Sequence, residues 1–312
     1  MNQEHKPTNA PSLVSDMPEG LLHNPEEQYL HPDHAVLYVV ATPIGNLGDI
    51  TIRALKILNS VDLIAAEDTR VSKRLLQRYR MTTPLMAVHQ HNERHAAQRI
   101  VEMLGDGKRI ALVSDAGSPG IADPGAQVVQ IVRAAGHAIV PIPGASALAT
   151  AISVSGLSES GFLFHGFLPA RSAERQRALK QLVLQTIPTV FYEAPHRIQE
   201  CMHDLVAVFG GDRTIMIARE LTKVHETLKC CTLSQAIDWL EADDNQLRGE
   251  FVLVLAGNAV ETVSDSSEMD SVLVPLLSEL PLKQAVALAV KITGSPRNAL
   301  YQRALELQDK TD

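Results

Sequence analysis

The sequence predicts an α/β protein with two domains and a small helical tail. Between residues 37 and 142, short apolar segments alternate with glycine-containing loops and helical patterns, which is typical of a parallel sheet covered by helices. Aromatic residues make up only 4% of the 312 residues. The core is therefore expected to consist of Val, Ile, Leu and Ala, which suits buried parallel strands. The length agrees with about two domains.

The first domain is predicted at residues 35–146 and the second at residues 147–258. Ser146 precedes a helical pattern and is expected to cap that helix. Strands are predicted at residues 37–41, 61–66, 85–88, 110–113 and 138–142 in the first domain, and at 162–167, 189–192, 213–219 and 250–256 in the second. Helices are predicted at residues 50–58, 72–79, 95–104, 127–135 and 173–184.

The two ends of the chain differ from this pattern. Residues 1–34 are polar and contain several prolines, which predicts disorder. Residues 259–271 are rich in Ser, Asp and Glu and are interpreted as a linker. Residues 272–312 are predicted to form a helical tail similar to a helix-turn-helix unit, with helices at 271–278, 282–293 and 296–307.

Charge and cysteine content narrow the class of protein. The net charge is −8, so the sequence lacks the basic surplus that is common in nucleic-acid-binding proteins, although local patches can still bind RNA. Three cysteines, two of them adjacent, do not suit a disulfide framework, which favours a reducing cytoplasm. Neither a membrane-spanning segment nor a signal peptide is expected.

Two glycine-containing loops follow predicted strands and are candidates for ligand binding. Residues 42–49 read TPIGNLGD and residues 114–125 read SDAGSPGIADPG. Neither matches a dinucleotide or P-loop motif, and both contain aspartate without lysine or arginine. Small and acidic residues suit a ligand with a positive centre, such as the sulfonium and α-amino groups of S-adenosylmethionine. Ordinary structural turns are the alternative interpretation.

Five segments in a fixed order resemble the tetrapyrrole-methylase-type methyltransferases. They are VVATPIGNLGD at 39–49, AEDTR at 66–70, SDAGSPG at 114–120, PGAS at 143–146 and FYEAPHR at 191–197. Within that family the chain resembles the bacterial enzymes that methylate the ribose 2′-oxygen of a decoding-centre cytidine in 16S rRNA. The resemblance covers residues 35–257 and the helical tail.

The resemblance implies a homodimeric two-domain enzyme that binds S-adenosylmethionine, without a metal, in a cleft between the domains. Its substrate would be 16S rRNA, either free or within the 30S subunit, and not a membrane component. Carried onto this sequence, the residues expected to contact the cofactor are Pro43, Ile44, Gly45, Asp115, Ala116, Gly117, Ser118, Ser146, Ala147 and Tyr192.

Methyl transfer to a ribose oxygen requires alignment of that oxygen with the methyl group and removal of its proton. The candidate bases are Glu67, Asp68, His91 and Glu193, and Arg70 and Arg197 are candidates for stabilising the developing alkoxide. A structural Asp68–Arg70 pair with a helix cap at Thr69, and a helix that simply starts at Pro195, are the competing interpretations. A metal site at His89, His91 and His95 is disfavoured because no carboxylate pair or cysteine completes it.

Several cations could form a surface that follows RNA phosphates, or could simply be solvated. They are Arg171, Arg175, Arg177 and Lys180, together with Arg70, Lys73, Arg74, Arg78 and Arg80; Arg297 and Arg303 of the tail are weaker candidates. Two other functions remain open on the same fold. One is a methyltransferase for a tetrapyrrole or a protein side chain, and the other is a ribosome-binding protein that has lost catalysis.

Overall fold

Five strands from the first half of the chain form one sheet. The computed structural model describes residues 35–158, 161–258, 265–295 and 297–308. The strands are β1 (Val36–Val40), β2 (Leu63–Ala66), β3 (Leu85–Ala87), β4 (Ile110–Val113) and β5 (Ala138–Ile142), in the order β3-β2-β4-β1-β5. All neighbouring strands in this sheet are parallel, which confirms the predicted α/β class.

Helices cover both faces of this sheet: α1 (Ile52–Ser60), α2 (Thr69–Arg78), α3 (Glu93–Gly105) and α4 (Ala126–Ala134). Successive residues of a strand point to opposite faces. Ala111 and Val113 of β4 therefore join a core with α1 and α2, whereas Ile110 and Leu112 join a core with α3 and α4. Asp68 caps α2 by accepting a hydrogen bond from Arg70 N, so the cap is Asp68 and not Thr69 as the competing interpretation expected.

The second half of the chain contributes a mixed sheet. Its strands are β6 (Leu163–Phe167), β7 (Thr189–Glu193), β8 (Thr214–Arg219), β9 (Thr227–Thr232) and β10 (Phe251–Leu255), in the order β6-β7-β10-β8-β9. Strands β6 and β7 are parallel and the remaining neighbours are antiparallel.

One face of the second sheet is covered by the helix that links the two halves. Helix α5 (Ala147–Ser155) begins at Ser146, whose hydroxyl accepts a hydrogen bond from Ala149 N and thus caps the helix as expected. Buried Ala151 of this helix packs against Val190 and Val254 of the second sheet. The division of the chain near residue 146 remains a proposal, and this packing supports it.

The opposite face is covered by α6 (Ser172–Lys180), α7 (Ile198–Phe209) and α8 (Leu233–Glu241). Helix α6 was predicted to extend to residue 184, and α8 and β9 were not predicted. Helix α7 corresponds to the competing interpretation of a helix that starts at Pro195. Strand β9 escaped prediction because its segment TLKCCT lacks a long apolar run and none of its residues is fully buried.

The tail forms three helices: α9 (Asp265–Glu279), α10 (Leu282–Thr293) and α11 (Arg297–Gln308). Buried Leu273, Val286 and Leu300 hold them together. Helix α9 includes residues 265–271, so much of the predicted linker is helical. Arg303 forms ion pairs with Asp270 and Glu306, at 2.7 and 2.6 Å. The predicted disorder of residues 1–34 lies outside the described residues.

Glu93 attaches α3 to the start of α4 and thereby fixes the end of the 114–125 loop. Its buried carboxylate accepts hydrogen bonds from Gly125 N and Gln127 N, at 2.8 and 2.9 Å, and a longer one from Val128 N. These N–H groups belong to the first turn of α4, where helices lack internal acceptors.

We expect Glu93→Ala to lower the free energy of unfolding by about 2 kcal/mol, because several N–H groups of α4 lose their acceptor. Urea denaturation measures this change. Glu102→Ala is the matched control, since Glu102 is exposed on the same helix and its loss is expected to cost less than about 0.5 kcal/mol. Equal costs for the two variants would contradict the proposed cap.

Candidate functional site

A cleft of about 290 Å³ lies between the two sheets. The first half supplies loops at the carboxyl end of its sheet, and the second half supplies the ends of β6, β7 and β8 and the start of β10. Open parallel sheets bind ligands beyond the carboxyl ends of their strands. The lining residues are Ile44, Ala116, Gly117, Ser118, Ile121, Asp123, Ser146, Ala147, Phe167, Tyr192, Glu193, Ala194, Pro195, Ala218, Leu221, Glu250, Phe251 and Val252.

The two glycine-containing loops are joined to each other by backbone hydrogen bonds. Thr42 and Gly117 exchange N–H···O bonds of 2.8 and 3.0 Å, and Thr42 Oγ1 donates to Ser114 O. Gly117 has a φ of +71°, a conformation that glycine adopts without strain. A Cβ atom at Gly117 would lie 3.6 Å from Ile44, so the loops pack closely and form one wall.

Three carboxylates meet where the loops after β2 and β4 leave the first sheet. Asp115 Oδ1 accepts a hydrogen bond from Asp68 N at 2.9 Å, and Glu67 Oε2 accepts one from Asp115 N at 3.3 Å. Partial loss of solvent raises the pKa of Glu67 and of Asp115 despite these hydrogen bonds, and neighbouring carboxylates raise both further. Negative charge is therefore concentrated beside the cleft.

Arg70 neutralises only one member of this group. Its guanidinium donates three hydrogen bonds to the Asp68 carboxylate, the shortest at 2.6 Å, and these bonds lower the pKa of Asp68 to about 2. The Arg70 side chain is 87% exposed. The structural Asp68–Arg70 pair is thus present, and stabilisation of an alkoxide by Arg70 remains a prediction.

Asp123 belongs to the candidate ligand loop at residues 114–125, but it was not among the residues expected to contact the cofactor. It lines the cleft, and burial raises its pKa to about 6, with further contributions from the charges of Glu67 and Asp115. The only sequence signal was its position before Pro124 and Gly125 in an otherwise uncharged part of the loop. Its proximity to Glu67 depends on the pairing of β2 with β4, which a single sequence does not show.

Aromatic residues form part of the second wall. The hydroxyl of Tyr192 accepts a hydrogen bond from Leu148 N at 3.1 Å, which ties β7 to the start of α5. Its ring contacts Phe164 and Phe167, with centroid distances of 5.1 and 5.7 Å. Burial raises the pKa of Tyr192, so this hydroxyl stays protonated at neutral pH. The position of Tyr192 in the cleft supports the proposal that it contacts the cofactor.

Glu193 and Arg197 form a buried pair below this wall. Glu193 is 2% exposed, its Oε1 accepts a hydrogen bond from Ala194 N, and Arg197 Nε lies 3.1 Å from the same oxygen. Arg197 Nη2 donates to Leu168 O at 2.6 Å and to Pro169 O at 3.2 Å. The guanidinium therefore bonds to its own chain, which fixes the turn after β6; a direct role at an alkoxide remains a prediction.

Several predicted site residues lie outside the cleft lining: Glu67, Asp68, Arg70, Asp115 and Arg197, and also His91, Pro43 and Gly45. His91 is exposed in the segment between β3 and α3, and it lines a separate depression with Asn92 and Gln127. Pro43 is buried beside the cleft, whereas Gly45 is exposed and packs against Lys223, which a Cβ atom would approach to 2.6 Å. Within the described residues, no group of three or more His, Cys, Asp or Glu residues is arranged for metal binding.

The structure corrects one part of the proposed basic surface. Arg175 is fully buried, and its Nε donates to Asp204 Oδ2 at 2.6 Å, so it is not available to a phosphate. Arg171, Arg177 and Lys180 are exposed.

Among the helices of the described ranges, none has the length and apolar character needed to cross a bilayer.

The lining of the cleft suits S-adenosylmethionine. Asp123 lines the cleft, and the described residues that line it include no Lys, Arg or His. Glu193 and Glu250 also belong to the lining, but their carboxylates pair with Arg197 at 3.1 Å and with Lys223 at 2.9 Å. A carboxylate favours the sulfonium and α-amino groups of the cofactor, whereas phosphates usually bind to cations or to a helix N-terminus. Ile44, Ala218 and Val252 provide an apolar surface that suits a planar base.

Comparison with known proteins supports the class that the fold and the cleft define, an α/β methylase with a ligand cleft between two sheets. The model of the Tetrapyrrole (Corrin/Porphyrin) Methylases family matches residues 36–237. The model of the RsmI C-terminal HTH domain matches residues 263–308. This second match covers the three helices of the tail.

Relatives extend the match over most of the chain. A Pseudomonas aeruginosa protein named Ribosomal RNA small subunit methyltransferase I is 48% identical over 277 residues, which are 88% of this chain and 98% of that protein. The protein of the same name from Escherichia coli O157:H7 is 46% identical over 87% of this chain and 95% of its own length. The chain therefore belongs to the tetrapyrrole methylase family, in the group formed by these ribosomal RNA small subunit methyltransferase I proteins.

Solved structures show the same fold at lower identity. The methyltransferase CobJ superposes with a TM-score of 0.55 and 19% identity, over 72% of this chain and 94% of that one. Diphthine synthase superposes with a TM-score of 0.54 and 15% identity, over 71% of this chain and 90% of that one. Because the identities are low, these likenesses support the fold alone.

Proposed function

We propose that this chain is an S-adenosylmethionine-dependent methyltransferase that modifies the ribose 2′-oxygen of a decoding-centre cytidine in 16S rRNA, cytidine 1402 in the RNA numbering. The observation that carries the proposal is the cleft between the two sheets, which Asp123 lines and in which no described lining residue is a cation. The names of the relatives supply the substrate class, ribosomal RNA of the small subunit.

The cofactor is proposed to lie against the loops after β1 and β4 and the start of α5. Pro43, Ile44 and Gly45 belong to the first of these loops. Residues 115–118 belong to the second, and Ser146 and Ala147 to the helix start, with Tyr192 on the facing wall. When bound, S-adenosylmethionine supplies an electrophilic methyl group on a good leaving group.

The chain must then hold the ribose oxygen in line and accept its proton. The proposed acceptors are Glu67, Asp68, His91 and Glu193. Of these only Glu193 belongs to the cleft lining, and its side chain is fully buried. Two donors, Ala194 N and Arg197, already bond to Glu193. Glu67 has fewer partners among the described residues and a raised pKa, which suits a proton acceptor.

The assembly proposed for the reaction is a homodimer that acts on the 30S subunit in the cytoplasm. Exposed Arg171, Arg177 and Lys180 follow the cleft wall at β6 and would contact RNA phosphates. These contacts would make binding weaken as the salt concentration rises.

Transfer of labelled methyl from S-adenosylmethionine to 30S subunits, naked 16S rRNA and a precorrin tests this function. We expect label on the 30S subunit, and nuclease digestion with mass spectrometry should locate it on a cytidine 2′-oxygen. Label on the porphyrinoid alone would overturn the proposed substrate. Calorimetry that detects no cofactor binding would favour a non-catalytic ribosome-binding protein.

A further inference from the structure

Phe167 is an aromatic residue that lines the cleft while half of its surface is exposed. Its exposed fraction is 50%, in a chain whose aromatic residues are only 4% of the total. It lies at the end of β6 and faces the cleft together with Tyr192 and Pro195. Single exposed apolar side chains are common on protein surfaces, but this one lies in the lining of a ligand cleft.

A bulge in β6 turns Phe167 towards the cleft. Phe164 pairs with Val190 of β7, but Gly166 pairs with Phe191 and Phe167 with Tyr192, so His165 is an extra residue. Side chains alternate along a strand, and one inserted residue therefore moves the following residues to the other face. Without the bulge, Phe167 would share the face of buried Phe191; with it, Phe167 shares the face of Tyr192.

The Phe167 ring has a fixed support. Tyr192 packs edge-on against it at 5.7 Å, and Tyr192 is itself held by Leu148 N and by the ring of Phe164. Gly166 adopts a φ of +78° at the bulge, which a residue with a Cβ atom rarely adopts. The remaining half of the Phe167 surface is therefore available to a ligand and is already oriented.

Positive charge follows this aromatic residue along the chain. Arg171 lies in the next turn and its side chain is 85% exposed, and Arg177 and Lys180 are exposed on α6. The cleft lining itself contains carboxylates and no cation among its described residues. An aromatic surface beside exposed cations is the combination that binds single-stranded RNA, in which bases stack and phosphates pair with cations.

We propose that Phe167 is the platform on which the nucleobase of the target nucleotide stacks when its ribose enters the cleft. This inference rests on the proposed function, because it assumes an RNA substrate. A ribose 2′-oxygen reaches a cleft only if its nucleotide leaves the surrounding stack, and an aromatic face compensates for the lost stacking. The adenine of the cofactor is assigned instead to the inner apolar wall with Ile44 and Val252.

The test compares Phe167→Ala and Phe167→Tyr with Phe162→Ala. Phe162 is the matched control because it is a 40% exposed phenylalanine just before the same strand and does not line the cleft. We expect Phe167→Ala to lower kcat/KM for 30S subunits by about 5- to 100-fold, as expected for the loss of one stacked base. Phe167→Tyr and Phe162→Ala should retain kcat/KM within about twofold, because the first keeps the aromatic face and the second lies elsewhere.

Two binding measurements distinguish a role of Phe167 in RNA binding from a role in cofactor binding. Calorimetry should give the same S-adenosylmethionine affinity for Phe167→Ala and the original protein. A fall in cofactor affinity equal to the fall in kcat/KM would place Phe167 at the adenine and overturn the proposal. Anisotropy with a fluorescent oligoribocytidylate should show weaker binding by Phe167→Ala, and unchanged binding and turnover would also overturn it. If the original protein binds this oligonucleotide through Phe167 but methylates no RNA, the proposed function fails and the stacking site stands.

Discussion

Replacing Asp204 with alanine is expected to lower the free energy of unfolding by about 3–5 kcal/mol, because it removes the buried carboxylate that is hydrogen-bonded to a buried arginine. Asp204 accepts hydrogen bonds from Arg175 Nε at 2.6 Å, Ser172 Oγ at 2.8 Å and Gln176 Nε2 at 2.6 Å. Arg175 is fully buried; its Nη1 donates to Ala170 O and Pro169 O, and its Nη2 lies 3.5 Å from the exposed carboxylate of Glu200. Water cannot replace the lost carboxylate without opening the contact between α6 and α7.

The network also has a defined pH dependence. Burial alone would raise the pKa of Asp204, but the hydrogen bonds from Gln176, Ser172 and Arg175 outweigh burial and lower it. A carboxyl group whose pKa is lower in the folded state stabilises the protein above its unfolded pKa and loses that contribution in acid. The difference between Asp204→Ala and the original protein should therefore diminish as the pH falls below about 4.

Urea denaturation at neutral pH measures the cost, and two further variants interpret it. Glu174→Ala removes an exposed partner of Arg171 at 3.6 Å on the same helix and should cost less than about 1 kcal/mol. Arg175→Met combined with Asp204→Leu removes both charges and should recover most of the stability. A cost of less than about 1 kcal/mol for Asp204→Ala would show that Arg175 does not depend on this carboxylate.

Arg175 also illustrates a limit of sequence interpretation. In the sequence it belongs to a run of cations on a helix, and such runs are usually solvated. Its burial depends on Asp204, which lies on a different helix, and the sequence does not show that these two residues pair. Residue type and helical spacing predicted the helix, but the partner that makes burial possible is a tertiary feature.

The first half of the chain was more predictable than the second for a physical reason. Buried parallel strands consist of continuous apolar segments, so β1 and β4 stood out, and the loops after them could be placed at one edge of the sheet. The second sheet is mostly antiparallel, and its edge strand β9 has polar residues on one face. Its cleft residues Phe167 and Glu250 were missed because a bulge and strand pairing decide where they point.

The position of Asp123 in the cleft likewise depends on strand pairing, which the sequence alone does not show. This carboxylate is expected to make cofactor binding depend on pH. We expect the affinity for S-adenosylmethionine to fall about tenfold between pH 7.5 and pH 5. Asp123 lines the cleft with a pKa of about 6, which is raised by burial and by the nearby charges of Glu67 and Asp115. A cationic ligand binds the ionised form, so protons compete with it as the pH falls through this pKa.

Asp123→Asn should weaken cofactor binding at neutral pH and flatten its pH dependence, which calorimetry at several pH values measures. The pKa values of Glu67 and Asp115 are also raised, so a part of the pH dependence should remain and belongs to the cluster as a whole. Asp212→Asn is the control, because Asp212 is exposed in the turn before β8 and outside the cleft lining. Cofactor affinity that is unchanged in Asp123→Asn at every pH would contradict the assignment.

The same substitution should have the opposite effect on the stability of the cofactor-free protein. A carboxyl group whose pKa is raised in the folded state binds its proton more tightly there, so stability is lost as the pH rises from about 4 to about 6. Asp123→Asn removes that loss and should therefore stabilise the cofactor-free protein at pH 7. The expected gain in the free energy of unfolding is about 1–2 kcal/mol, which is less than the full pKa shift implies because solvent screens a half-exposed group. If Asp123→Asn is more stable yet binds the cofactor more weakly, the Asp123 carboxylate destabilises the free protein but contributes to ligand binding. A destabilised variant would instead indicate that the carboxylate supports the loop.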